Sequence, residues 1–352
     1  MNAAEQALSY PFGTAKPAAA EVREVAPGIL WLRMPLPFAL DHINLWLLED
    51  GEGYAAVDCG YAAGPTRALW EQIFTNGMRG RPLTRVIVTH CHPDHAGNAA
   101  WLTERFGVDM YMSQADYLTA HSWRNATAGF NVDGLIPFFR SHGLDERRLG
   151  ELHAERGSSY KRGVPEFPNH YRRIMDGDVL TIGGDNAGGH EWRVLMGYGH
   201  APEHAALYCA ERGIFISGDM LLPKISTNIS VTNVDGEANP LRLFLDSIEN
   251  YAHLPADTLV LPSHGLPFRG LHERVDQLHE HHRLRLAELL DACRTSKSAA
   301  EVITTLFRRE LDTHQMFFAM GEAIAHLNFL RAEGAIARDT GGDGVMRFVA
   351  AS

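Results

Sequence analysis

The chain has 352 residues, of which 45% are apolar and 21% charged, with a formal net charge of -11 at pH 7. That length allows a large buried core in one domain or two, and the composition is that of a globular protein. The acidic balance disfavours an anionic membrane surface or a nonspecific nucleic-acid partner.

The four cysteines, Cys59, Cys91, Cys209 and Cys293, are far apart and form no CxxC pair. This pattern argues against a disulfide framework and against a thiolate zinc knuckle. No run of about 18 apolar residues is present, so no membrane span is expected. The opening stretch "MNAAEQALSYPFGTAKPAAAEV" lacks the basic start and apolar core of a signal peptide, so the expected compartment is the cytoplasm.

In chain order, residues 1–27 read as a leader rich in Ala and Pro. The runs "ILWLRM", "INLWLLED" and "GYAAVDCG" are short, apolar and bounded by Pro, Asp and Gly, which predicts strands. "PTRALWEQIFTNG" has helical spacing, with Gly77 placed to end it. "RVIVTH" predicts a buried strand, "NAAWLTERFG" a helix and "DMYMS" a further strand. This alternation points to a layered α/β arrangement.

Residues 113–175 break that rhythm and predict a helical insertion with scattered aromatics: Tyr117, Trp123, Phe130, Phe138, Phe139 and Tyr160. These either line a pocket for an acyl chain or ring, or form the insertion's own core. The stretch "ERGSSYKRG", with Arg172 and Arg173, is suited to meet an anionic group. "DGDVLTIGG", "EWRVLMGYGH", "AALYCAERGIFISGDM" and "TLVLPSHG" return to strands and turns. From residue 272 to 352 three amphipathic helices are expected. Ser298 and Glu301 form a capping box on the second, and a hairpin follows around Gly341, Gly342, Asp343 and Gly344. Three helices and a two-stranded wing is a winged-helix pattern. "HEHH", His279 to His282, reads as a solvated face of the long helix.

The chemistry concentrates in "VIVTHCHPDHAGN", where His90, His92, Asp94 and His95 fall within six residues after a β-branched run. Neutral imidazole and carboxylate are good ligands for zinc and neighbouring divalent metals. An extended backbone would turn His90 and His92 to one face, while Asp94 and His95, past a Pro-containing turn, approach from another side. Two adjacent ions could share four donors that one ion rarely takes from so short a loop. His200 in "MGYGHAPEH", Asp219 in "GIFISGDML" and His264 in "TLVLPSHG" each follow a buried run, the place where layered α/β proteins keep their sites.

The stretch "THCHPDHAGN", followed in order by "GHAPEH", "SGDM" and "PSHG", resembles the HxHxDH signature of the metallo-β-lactamase superfamily over residues 28–271. The resemblance implies a four-layer αββα sandwich with two metals at one edge of the sheets. It implies that His90, His92 and His200 hold the first metal and that Asp94, His95 and His264 hold the second, with Asp219 bridging. Two Zn2+ ions are expected, with iron and manganese also accepted by the superfamily. Asp94 and Asp219 are the candidate catalytic groups. His42, near where related enzymes bring an N-terminal loop to the site, is a candidate substrate contact. His204 is a second such candidate, or a support behind the ligands. Glu203 stands where the family turn "GHTPGH" has Gly, and Cys91 is read as a buried filler pointing away from the ligands.

The expected reaction is hydrolysis of a small-molecule carboxyl derivative, a thioester such as an acyl-CoA or a lactone. The alternative is a phosphodiesterase or nuclease that uses the winged helix to bind nucleic acid. Residues 272–352 hold ten Lys and Arg against twelve Asp and Glu, which weighs against that alternative and favours a cap, a pocket wall or a homo-oligomer contact. A di-iron oxidoreductase is a third class; His92 stands against it, because diiron flavoprotein relatives usually carry Glu there.

Overall fold

The computed structural model describes residues 7–38, 40–62, 64–156, 159–183 and 189–351. Residues 1–6 of the leader and Gly157 and Ser158 of "ERGSSYKRG" lie outside the described residues. The chain divides into two compact units. The first comprises residues 1–124, 160–227 and 248–275; the second comprises 125–159, 228–247 and 276–352.

The first unit is a mixed α/β sandwich. One sheet has seven strands in sequential order: β1 (Arg23–Ala26), β2 (Ile29–Pro35), β3 (His42–Asp50), β4 (Gly53–Val57), β5 (Leu83–Ile87), β6 (Met110–Met112) and β7 (Arg172–Arg173). It begins as an antiparallel meander and becomes parallel from β4 onward. The second sheet has the order β12 (Leu259–Pro262), β11 (Ile214–Gly218), β10 (His204–Cys209), β9 (His190–Gly197) and β8 (Val179–Ile182). It is antiparallel except for the parallel pair β11 and β12.

Strand β3 shows why these segments read as unbroken apolar runs. Ile43, Leu45 and Leu47 face a core shared with the helices, while Trp46 and Leu48 face the core between the sheets. Both faces are buried, so polar alternation is lost. Between the sheets, Trp31 and Trp46 stack at 6.2 Å and meet Trp192, Val194, Leu207, Ile216 and Leu261 of the second sheet.

The helices α1 (Thr66–Gln72), α2 (Pro93–Ala96), α3 (Ala99–Phe106) and α4 (Gln114–Arg124) lie in this unit, with α7 (Ser159–Gly163). The segment expected to be one helix ending at Gly77 changes pitch, because its last turn, Ile73–Gly77, is a π-turn. Gly97, just after α2, sits in a cradle of main chain. A Cβ there would lie 2.5 Å from Pro93 O and 2.6 Å from both Gly163 O and Gly60 O.

The second unit contains α5 (Val132–Ser141), α6 (Glu146–Arg156), α10 (Ala299–Leu306), α11 (Thr313–Ala332) and the hairpin β13 (Ile336–Thr340) and β14 (Met346–Ala350). Helix α8 (Pro240–Tyr251) begins in the second unit and ends in the first, and the long helix α9 (Leu271–Ala292) begins in the first unit and continues into the second. The capping box of Ser298 and Glu301 is present on α10, and Asp312 with Gln315 makes another on α11. The hairpin pairs antiparallel around Gly341–Gly344.

"HEHH" is not wholly solvated. His282 is buried, with its Nδ1 at 3.1 Å from His326 Nε2, and His326 Nδ1 donates to Glu322 O at 2.8 Å. With Nδ1 engaged on that carbonyl, a neutral His326 offers Nε2 as the acceptor for His282 Nδ1–H, while the buried His282 Nε2 has no hydrogen-bond partner. Burial pushes both rings below the ordinary imidazole range, His282 to about 2 and His326 to about 4. Among the described residues no helix is long and apolar enough to cross a membrane.

Because the cradle around Gly97 is main chain on three sides, it cannot yield as a side chain would. Gly97→Ala is expected to lower stability by about 1–3 kcal/mol or more. Urea unfolding measures this, and a midpoint equal to that of the parent would show that the cradle has room.

Candidate metal centre

The site forms where strands of both sheets end. After β5 the chain bends through Thr89 to His92, and Pro93 starts α2, which carries Asp94 and His95 in one short turn. The turn between β9 and β10 supplies His200, the end of β11 supplies Asp219, and the turn after β12 supplies His264. The seven donors named from the sequence therefore converge, and they do so as two groups. In one, ligand atoms of His90, His92, His200 and Asp219 lie within 4.8 Å of one another; in the other, those of Asp94, His95 and His264 do.

Asp219 also reaches toward the second group. Its carboxylate lies 3.3 Å from His200 Nε2, 3.5 Å from His95 Nε2 and 3.4 Å from His264 Nε2. Asp94 Oδ2 lies 3.7 Å from His95 Nε2 and 3.5 Å from His264 Nε2.

The donor set fits divalent cations. His90 Nε2 is 2.9 Å from His92 Nδ1 and 3.2 Å from His200 Nε2. One proton can serve only one of these nitrogen pairs, whereas a cation is attracted to all three lone pairs. His95 Nε2 and Asp219 Oδ1 are buried atoms with no hydrogen-bond partner, and such atoms are costly unless something is bound to them.

Burial disfavours charge on His90 and His92, and crowding with their neighbours adds to it; His92 is pushed down to about 3. Burial also opposes charge on His264, but Asp219 and Asp94 outweigh it and hold that ring up to about 10. Burial works against the Asp94 carboxylate, yet His95 and His264 overcome it and hold the group down to about 2. Asp219 and Asp94 thus favour a proton on His264, and a metal binding there would displace it.

Four supporting residues had no sequence reading of their own. Asp58, at the end of β4 with φ 64°, accepts from Thr89 N–H at 2.8 Å and pairs with His95 Nδ1 at 2.8 Å. Its sequence signal is an acid directly after an apolar run, "YAAVDCG". The Thr89 hydroxyl also lies 3.0 Å from His90 Nδ1. Buried Asn44 donates to Pro262 O at 2.8 Å and Gly265 O at 3.0 Å, so the first sheet grips the turn that carries His264. Asp116 in α4 accepts from the Cys91 and Glu203 N–H groups.

His42 offers its carbonyl to His264 Nδ1 at 2.7 Å, and its Nε2 accepts from Gly265 N–H at 3.0 Å. Its Nδ1 pairs with Asp41, so both ring nitrogens are engaged within the chain. His204 Nε2 accepts the Asp219 N–H at 3.1 Å, and its ring stacks on His90 at 4.8 Å. Gly218 makes room for it, since a Cβ there would lie 2.2 Å from His204 Nε2. Cys91 is fully buried in the helix-side core. Trp123 lies nearly parallel to the His92 ring at 6.1 Å, and Tyr160 packs edge-on against Trp123. Tyr117 instead stacks on Tyr171 within the core.

The metallo-beta-lactamase superfamily model matches residues 39–264. The chain belongs to the metallo-β-lactamase superfamily. A second model, the metallo-beta-lactamase-like C-terminal domain, matches residues 286–351. Among similar proteins, the probable metallo-hydrolase YqjP of Bacillus subtilis (strain 168) is 26% identical over 320 residues, covering 88% of this chain and 93% of that protein. The crystal structure of a beta-lactamase domain protein from Burkholderia ambifaria is 47% identical, with a TM-score of 0.92, and covers 99% of this chain and 100% of that one. A metallo-beta-lactamase family protein from Thermus thermophilus is 30% identical, with a TM-score of 0.77, over 93% of this chain and 100% of that one.

Asp58 fixes the tautomer of His95 by holding Nδ1–H, which leaves Nε2 free to ligate. Asp58→Asn is expected to weaken metal binding by roughly 10–100-fold, measured by competition with a chelator. Parental affinity in that variant would show that His95 is oriented by other contacts.

Proposed function

We propose that the chain is a dinuclear-metal hydrolase of a small carboxyl derivative, a thioester first and a lactone second. The observation that carries this reading is the carboxylate of Asp219, placed between two donor groups that each suit one ion. In this reading His90, His92 and His200 would hold one zinc, Asp94, His95 and His264 would hold the other, and Asp219 would serve both. Zinc bound there supplies Lewis acidity toward a carbonyl and acidifies water at neutral pH.

The chain's own residues prepare that chemistry by fixing tautomers. Asp58 holds His95 Nδ1, the His42 carbonyl holds His264 Nδ1, and the Thr89 hydroxyl faces His90 Nδ1, so Nε2 of each ring points inward. His204 steadies the backbone of Asp219. Asp94 and Asp219 are the acids within reach to take up a proton, and each is charged beforehand. His42 and His204 enter as supports of His264 and Asp219.

For substrate class, half-buried Trp123 presents an aromatic face beside His92, and Phe38, which is exposed, packs edge-on against Tyr61. The apolar face of Trp123 next to His92 suits an acyl group better than a phosphodiester backbone.

We read the helices and hairpin of the C-terminal segment as winged-helix-like, and a nuclease is the competing reading. Its arginines speak against it. Arg283 pairs with Glu280, Arg285 and Arg308 share Glu288, Arg331 and Arg338 share Glu237, and Arg347 pairs with Asp343. Cations already paired with carboxylates in this way make a poor phosphate-tracking surface. A small-molecule substrate and a cytoplasmic setting complete the proposal.

Zinc-loaded protein tested side by side on thioesters, lactones, phosphodiesters and β-lactams is expected to turn over a thioester or lactone fastest. Asp219→Ala should lower occupancy at both groups and reduce kcat by roughly 100-fold or more, beyond the loss typical of an outer partner. Full activity after chelation, in protein that carries no transition metal, would remove the proposal. Preferred cleavage of the phosphodiester would move it to the nuclease reading.

A further inference from the structure

Asp116 is fully buried in α4, and its two carboxylate oxygens serve two different ligand loops. Oδ1 accepts the Cys91 N–H at 2.8 Å, between His90 and His92. Oδ2 accepts the Glu203 N–H at 2.7 Å, in the turn that follows His200. The Ser113 hydroxyl makes a longer bond to Oδ2 at 3.3 Å. The tie is returned, because Glu203 Oε2 accepts the Ala115 N–H at 3.2 Å, in the first turn of α4. On the other side of the loop the Tyr160 hydroxyl donates to Cys91 O at 2.6 Å. The peptide groups on either side of Cys91 are therefore both held, one by a carboxylate and one by a phenol.

We propose that Asp116, strapped by Glu203, is a positioning residue that sets the distance between the His90–His92 loop and the His200 turn, and so the affinity of the first metal group. This rests on the metal-centre reading above. The two loops leave different sheets, β5 in one and β9 in the other. One main-chain bond, Ala205 N–H to Thr89 O at 2.8 Å, links them nearby. Asp116 adds a second link, from Cys91 to Glu203, so the pair of loops is tied at two points. A carboxylate is needed because both partners are N–H donors. An amide would turn its own NH2 toward one of them and leave a buried donor facing a donor. The same geometry accounts for Glu203 in a turn where the superfamily pattern has Gly: its carboxylate accepts from the first turn of α4.

The test uses the full chain, stripped of metal and titrated with Co2+ while its d–d absorption is followed. His200→Ala deletes a donor of the first group alone and marks which binding step belongs to that group. D116N is expected to weaken that step by roughly 10–100-fold and to leave the other step in place. Unchanged affinity at the first group, or equal weakening at both groups, overturns the proposal. If D116N does not fold, E203A cuts only the strap and should shift the first step selectively by a smaller factor; no shift there overturns the proposal equally. A parent chain that binds no Co2+ at either group overturns the metal-centre reading and this inference with it, whereas a D116N result at parental affinity leaves that reading standing.

Discussion

The site depends on one buried carboxylate that is not itself among the converging donors. Asp58 ends β4 in a left-handed conformation, φ 64°, which Asp tolerates better than most residues. From there its side chain takes the Thr89 N–H and hydroxyl and the Nδ1 of His95. The Cys59 N–H returns the tie to His95 O at 2.8 Å. A parallel pair of strands, β4 and β5, is thereby converted into a fixed angle between a strand end and the short helix that carries Asp94 and His95. Were that angle free, four crowded donors would repel or collapse onto one another.

The second requirement is that two sheets end at the same place. Twist alone does not ensure it, because strands in packed sheets diverge at their ends. Asn44 solves this locally. It sits on the inner face of β3 among apolar neighbours, accepts from Trp31 Nε1 at 2.9 Å, and donates to two carbonyls of the turn after β12. An amide has the donors and acceptor to bridge an indole and two carbonyls, and burial makes each of those bonds expensive to break.

The donor loop was legible because its chemistry is written in one residue type at close spacing, and its partners because each follows a buried run. The supports were harder to see. Asp58 and Asn44 are lone polar residues in apolar context, and the sequence offers no second residue nearby to show what they hold. Asp116 lies on an amphipathic helix, where an acid ordinarily faces water, and its partners are 25 and 87 residues away. The burial of His282 is hidden for a related reason. "HEHH" has the polarity of a surface, and the ring that receives His282 comes 44 residues later. The π-turn at Ile73–Gly77 is likewise invisible to a period of 3.6, because the extra residue is absorbed within one turn.

The grip of Asn44 on the turn at Pro262 also has a consequence for how the chain is made. The two residues are 218 positions apart, so at a synthesis rate of about 5–20 residues per second the amide waits roughly 10–40 seconds for its partner. Over that interval the histidine-rich loop has left the ribosome while the strand end bearing His264 has not. His264 is the last of the seven donors in chain order, so the donor set is complete only once the turn gripped by Asn44 has been made.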